Sequence, residues 1–217
     1  MKLLVVGDSF AHGLELPDCP LFSYDTVFPP APSKQSWPAL LDSSVTNLSI
    51  PGGSNSRIFR MVVDETIKNK YDLVVCQWTE VSRLDLVKDN EDFPVTANSK
   101  WLHNNVPWIK EYYTEYYNED QQYQTWLGQV VALQNHFKYL NQQYLFVSMQ
   151  GIKDINLKFN HLVNQIDSTY YLGWPVDGLT EWMGDCPKGP GGHPLELGHQ
   201  RIAEHINEHI RNLGWLS

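Results

Sequence analysis

Short, continuous apolar runs alternate along this chain with longer segments of helical periodicity. A chain written this way buries strands on both faces of a sheet and covers them with helices. The runs fall at 2–6, 45–49, 72–78, 144–149 and 169–172, and the helical patterns at 54–70, 122–142, 156–165 and from about 195 onward. This alternation predicts an α/β fold with five parallel strands. The final helix is expected to turn Ile202, Ile206, Ile210 and Leu213 toward the core. Ser36 is a candidate cap for a short helix carrying Trp37, with Pro38 tolerated in its first turn. The regular alternation lapses over about 83–120, where no clear strand is written and only 107–117 has helical spacing. That stretch reads as a helical insertion after the third strand. No linker or repeat divides the 217 residues, so a single domain is expected.

Composition narrows the function. The formal net charge is −9 with no basic patch, which argues against neutralising nucleic-acid phosphates. No apolar run is long enough to span a bilayer, and no leader precedes the first strand, so a cytoplasmic protein with no membrane partner is expected. Cys19, Cys76 and Cys186 form no paired motif, and no metal or cofactor is expected. His205 and His209 stand four apart on the last helix but lack an evident third ligand, and read as surface residues.

Chemistry is written at the two ends of the chain. The first strand breaks into Gly7-Asp8-Ser9, which places a hydroxyl at the carboxyl end of a strand, where open α/β sheets bind ligands. Near the other terminus Gly191-Gly192-His193-Pro194 precedes a helix, and a loop histidine is the base a serine nucleophile requires. Taken alone, Gly7-Asp8-Ser9 is also an ordinary turn sequence.

Three blocks in order resemble the GDSL/SGNH hydrolases: Gly7-Asp8-Ser9, then Asn47-Leu48-Ser49-Ile50-Pro51-Gly52-Gly53-Ser54, then His193-Pro194-Leu195-Glu196-Leu197-Gly198-His199. The resemblance implies a three-layer α/β/α sandwich with a flavodoxin-like strand order. It also implies Ser9 as nucleophile, His193 as base, and the backbone N–H groups of Ser9 and Gly52 as oxyanion donors. Asp8 would tie neighbouring loops together. Two departures stand out. The family commonly has an aspartate three residues before its histidine, where this chain has Pro190. Asp185, the more distant Asp177, or a backbone carbonyl serving a Ser–His dyad are the alternatives, and the prolines at 187 and 190 tilt the reading toward the dyad. The family's third block, Gly-x-Asn-Asp, is also missing from Trp78-Thr79-Glu80-Val81-Ser82-Arg83. Thr79 and Asn55 are then the candidate side-chain donors, with Glu80 opposing an oxyanion.

The expected activity is cofactor-free hydrolysis of a carboxylic ester on a small molecule or carbohydrate, with an O-acetyl sugar preferred. Non-catalytic carbohydrate binding, a structural role and acyl transfer are the alternatives. The aromatic segment from Trp101 to Trp126 offers faces for stacking on sugar rings, although packing of the inserted helices is the stronger reading. Compact size and the divergent third block also look like SGNH-like proteins encoded by some tailed phages. Oligomeric state is not written in the sequence.

Overall fold

The structure is a computed structural model and describes residues 1–20, 31–88, 91–97, 104, 106–152 and 157–215. Five parallel strands form its centre: β1 (Lys2–Val6), β2 (Ser44–Asn47), β3 (Leu73–Trp78), β6 (Gln143–Ser148) and β7 (Tyr171–Leu172), in the order β2-β1-β3-β6-β7. Leu3 pairs with Val45 on one side and Leu73 on the other, and Val75 pairs with Leu145. This is the flavodoxin-like order, and its switch point lies at the carboxyl ends of β1 and β3.

Strand periodicity divides the core in two. Leu3, Val5, Leu73, Val75, Leu145 and Val147 face one layer, where Ile202, Ile206 and Ile210 of α7 (Glu196–Asn212) pack with Trp37. Leu4, Val6, Val74, Cys76, Tyr144 and Phe146 face the opposite layer, built by α2 (Asn55–Lys68) and α4 (Glu119–Leu140) through Ile58, Val62, Leu127, Val130 and Phe137. Leu213, expected on the core face, is only half-buried because α7 ends at Asn212. Short helices α1 (Ser9–His12), α3 (Pro107–Glu111), α5 (Asn160–Val163) and α6 (Leu179–Met183) fill the connections.

The segment after β3 departs from expectation. It is not wholly helical: β4 (Leu84–Lys88) and β5 (Glu91–Val95) form a two-stranded antiparallel ribbon before α3. Pro94 is accommodated because a two-stranded ribbon has free edges and leaves a place for a residue without an N–H. Val95 and Ile109 are fully buried in a small satellite core with Leu84, Val106 and Tyr113. Thus α3 packs on the ribbon. The short helix at Trp37 is a 3-10 turn, Trp37–Leu40, and Ser36 Oγ donates to the Ser33 carbonyl instead of capping it.

Candidate active site

Ser9 opens α1 directly beyond β1 and is 5% exposed. Gly7 is required by crowding: a Cβ there would stand 2.9 Å from both Cβ and Oε1 of Gln77 and 3.0 Å from Ala11 Cβ. Asp8 caps the short helix, and its carboxylate is fully buried. Oδ1 accepts from Phe10 N at 2.9 Å and Gln77 Nε2 at 2.6 Å, while Oδ2 accepts from Thr79 Oγ1 at 2.6 Å and Arg83 Nη1 at 2.9 Å. One residue therefore ties the end of β1 to the end of β3 and to the start of the insertion.

The second block forms a tight turn. Gly53 N donates to Ile50 O at 3.2 Å, Pro51 takes the second position, and Gly52 is left-handed at φ 75, the arrangement of a type II turn. Ile50 N donates to Gly7 O and His12 Nδ1 donates to Ser49 O, which pins the turn beside α1. Among the described residues neither the Ser9 N–H nor the Gly52 N–H has an acceptor. A Cβ on Gly52 would lie 3.0 Å from Pro94 Cβ, so the ribbon of the insertion covers this turn. Arg60 of α2 fixes the ribbon through a 2.6 Å ion pair to Asp85, whose side chain is 1% exposed.

The two side-chain donors expected to supplement the backbone are otherwise engaged. Thr79 gives its hydroxyl hydrogen to Asp8, and this short contact leaves Thr79 no proton for an oxyanion. Asn55 brackets the Thr79 peptide, with Oδ1 accepting from Thr79 N at 2.8 Å and Nδ2 donating to Thr79 O at 3.0 Å. Glu80 stands 3.6 Å from Arg83 Nε, so its charge is opposed by a cation.

His193 reaches this corner from the far end of the chain. Its ring centroid lies 5.8 Å from that of Phe10, the residue after Ser9. No hydrogen bond joins the Ser9 hydroxyl to the imidazole among the described residues. The outer ring nitrogen has a partner that sequence spacing did not suggest. His193 Nδ1 lies 2.8 Å from Glu15 Oε2, and Glu15 is a residue of the loop after α1. This corrects the expected partner. Asp185 is exposed, and its backbone carbonyl accepts from Arg201. Asp177 is exposed as well. The backbone carbonyl expected for a dyad is not at the ring either, because a carboxylate occupies the position.

The loop that carries His193 is a small hairpin. Lys188 and Pro194 bridge, Gly189 N donates to His193 O, and Gly192 N closes the turn on Gly189 O. Pro190 takes the second position of that turn, which suits its fixed φ and accounts locally for a proline at this place. Behind the loop stands His199, fully buried, accepting from Trp37 N at 3.0 Å. Burial, with His193 nearby, pushes its imidazole down to about 4. His199 is therefore a neutral structural residue.

The insertion's aromatic residues mostly pack. Trp126 is 2% exposed, and Tyr112, Tyr113 and Tyr117 meet one another edge-on or tilted. With Thr79 and Met149, Tyr123 and Trp126 line a shallow depression at the carboxyl ends of β3 and β6. Trp108 and Tyr116 are exposed, and Trp101 lies outside the described residues. The Trp182 ring meets that of His205 at a tilt, with centroids 4.6 Å apart. Among the described residues no three His, Cys, Asp or Glu side chains are arranged to hold a metal, and no helix is long and apolar enough to cross a membrane. The three cysteines are free and buried.

No family model and no curated protein matches this sequence. Solved structures do match the fold. The protein TesA superimposes with a TM-score of 0.53 at 16% identity, covering 98% of this chain and 99% of that one. The psychrotrophic esterase EstA from Pseudoalteromonas sp., solved with monoethylphosphonate as inhibitor, gives 0.52 at 12% identity over 98% and 97%. A carbohydrate esterase whose active site displays divergent catalytic and non-catalytic binding functions gives 0.53 at 12% identity, over 97% of this chain and 64% of that one. A protein described as lipolytic and of the G-D-S-L family, from Desulfitobacterium hafniense, gives 0.50 at 12% identity over 96% and 98%. The chain thus has the α/β fold of the G-D-S-L, or SGNH, hydrolases.

Proposed function

We propose that this protein is a serine esterase that hydrolyses a carboxylic ester, with an O-acetyl group on a carbohydrate as its substrate class. Ser9 Oγ attacks the ester carbonyl carbon while His193 Nε2 takes the hydroxyl proton. The N–H groups of Ser9 and Gly52 hold the tetrahedral oxyanion. Collapse breaks the carbon–oxygen bond to the alcohol, which leaves with the proton from His193. Water then adds to the acyl-enzyme, giving one proton to His193. Release of the acid returns that proton to Ser9.

The observation that carries this reading is the meeting of the chain ends. A histidine 184 positions beyond Ser9 in sequence packs on the adjacent Phe10, with Nδ1 already engaged and Nε2 left as the available base. The carbohydrate preference draws on the carbohydrate esterase among the structures that share this fold. A second reading, a non-catalytic carbohydrate-binding protein, is favoured by the engagement of the Thr79 hydroxyl, which removes it as an oxyanion donor, and of one of the two Asn55 amide hydrogens.

Fluorophosphonate labelling separates the two. A catalytic Ser9 becomes the modified residue, and Ser9→Ala loses both labelling and hydrolysis of p-nitrophenyl acetate. A folded protein that neither labels nor turns over esters, yet binds acetylated oligosaccharides, supports the binding reading.

A further inference from the structure

We infer that Glu15 is the positioning carboxylate of the catalytic set, taking the place of the aspartate absent at position 190. This deepens the esterase reading and rests on it. The set then runs Ser9, Glu15, His193 in chain order, with the nucleophile at the start of α1 and the acid in the loop that follows it.

Four observations converge on this residue. The first is geometric: Glu15 Oε2 lies 2.8 Å from His193 Nδ1 and accepts from His193 N at 3.0 Å, while Oε1 accepts from Gly191 N at 2.7 Å. A carboxylate only accepts at these oxygens, so the shared proton resides on Nδ1 and the lone pair is left on Nε2. That is the tautomer a serine nucleophile needs.

The second is strain. Glu15 sits in the left-handed region at φ 75, which side chains with a Cβ rarely adopt, and it is held there by Glu15 N donating to Cys19 O at 2.8 Å. The backbone thus carries a conformational cost that aims the carboxylate inward.

The third is steric. A Cβ on Gly189 would lie 2.6 Å from Glu15 Cδ, and one on Gly191 would lie 2.9 Å from Glu15 Oε2. The glycines of this loop are what let it close over the carboxylate. The fourth is electrostatic. Glu15's side chain is 2% exposed and burial raises its pKa, but the hydrogen bonds from Gly191, the His193 ring and the His193 amide together outweigh burial and hold it below the usual 4.5. The group facing the imidazole at neutral pH is therefore an anion.

A latch that merely closes the loop would show the same contacts, so the test needs readouts beyond stability. In the full-length protein, nitrogen-15 NMR of the His193 ring at pH 8 should find the proton on Nδ1, with a far-downfield proton resonance that Glu15→Gln abolishes. Against p-nitrophenyl acetate, Glu15→Gln should lower kcat about 100-fold or more with KM changed by less than about 3-fold, and Glu15→Asp should recover part of that loss. Asp185→Asn should leave both constants unchanged. If Glu15→Gln does not fold, Gly189→Ala supplies the same kinetic test by displacing the carboxylate without removing it. Proton residence on Nε2 in the parent would overturn the assignment. So would near-parental kcat in a folded Glu15→Gln protein whose Ser9→Ala counterpart is inactive. If the parent hydrolyses no ester, the esterase reading fails by itself, and the NMR result still decides whether Glu15 sets the tautomer.

Discussion

The Asp8 carboxylate lies inside the protein with each of its oxygens accepting twice, and among the described residues Arg83 is the cation in contact with it. Removing one member of such a group leaves the other charged and unpartnered in a dry site. Asp8→Asn is therefore expected to cost about 3–5 kcal/mol in urea unfolding. Arg83→Met should be costly as well, and the double variant should cost less than the sum of the two single changes. Additive losses would mean that Asp8 and Arg83 act separately. Ser9→Ala, by contrast, deletes a hydroxyl with no hydrogen-bond partner among the described residues and should change stability by less than about 1 kcal/mol. At this scale Ser9, His193 and Gly52 could be singled out as candidates because each stands in a short local motif. Glu15 could not: its partners are 176 and 178 positions away, and nothing in Leu14-Glu15-Leu16 distinguishes it from a surface residue. Arg83 was hidden for the same reason, since it meets Asp8 75 positions away.

The elements around the site act through their turns. In the His193 hairpin, Gly189 and Gly192 are both glycine for different reasons, and this gives a paired prediction. Gly192 is left-handed at φ 88 with open space where a Cβ would go, so Gly192→Ala should cost about 1 kcal/mol of backbone strain and leave the site intact. Gly189 has no left-handed φ, but its Cβ would strike Glu15, so Gly189→Ala should reduce fluorophosphonate labelling far more than Gly192→Ala, at similar melting temperature. Equal labelling of the two would argue against a contact between this turn and the reactive centre. The ribbon β4–β5 shows why an element can escape a reading by pattern. Leu84-Asp85-Leu86-Val87-Lys88 alternates only weakly, and Pro94 within the second strand reads as a strand breaker. The strand forms because Val95 is buried with Ile109, a contact made with another part of the insertion. The helix α1 escaped for a simpler reason: four residues are too few to display periodicity.

For the whole molecule, the strands and both helical layers were legible because the central strands are continuous apolar runs whose alternate residues belong to different cores, as in Leu3 and Val5 against Leu4 and Val6. Burial on this scale also sets how the fold responds to pH. His199 keeps its neutral form down to about 4, whereas its unfolded counterpart binds a proton near 6.5. Between those values the unfolded chain holds more protons, so stability must fall as pH falls. His136 and His209, also pushed down by burial, act in the same direction. The His199 contribution is on the order of 3 kcal/mol, at about 1.4 kcal/mol for each pH unit. Glu15 adds a second acid window: its unfolded form protonates near 4.5, its folded form only below that, and the stability from its hydrogen bonds is lost as pH falls through the folded value. At the alkaline end the sign reverses. Tyr117 is raised by burial to about 12, and burial raises Tyr113, Tyr144 and Tyr171 too, so above the usual 10.0 the unfolded chain loses protons first and stability declines. Burial also raises the Cys19 thiol, to about 11, and the Cys76 thiol above the usual 9.0, so melting temperature should be nearly flat from about pH 6.5 to 9 and fall on both sides. In His199→Gln the decline between 6.5 and 4 should become shallower even though the variant melts lower at pH 8, where it has lost the acceptor for Trp37 N. Glu15→Gln should leave that first decline in place and flatten only the steeper loss below 4.5. Calorimetry of the three proteins from pH 3 to 8 checks the assignment, and an unchanged slope between 6.5 and 4 in His199→Gln would remove His199 as the origin of the acid sensitivity.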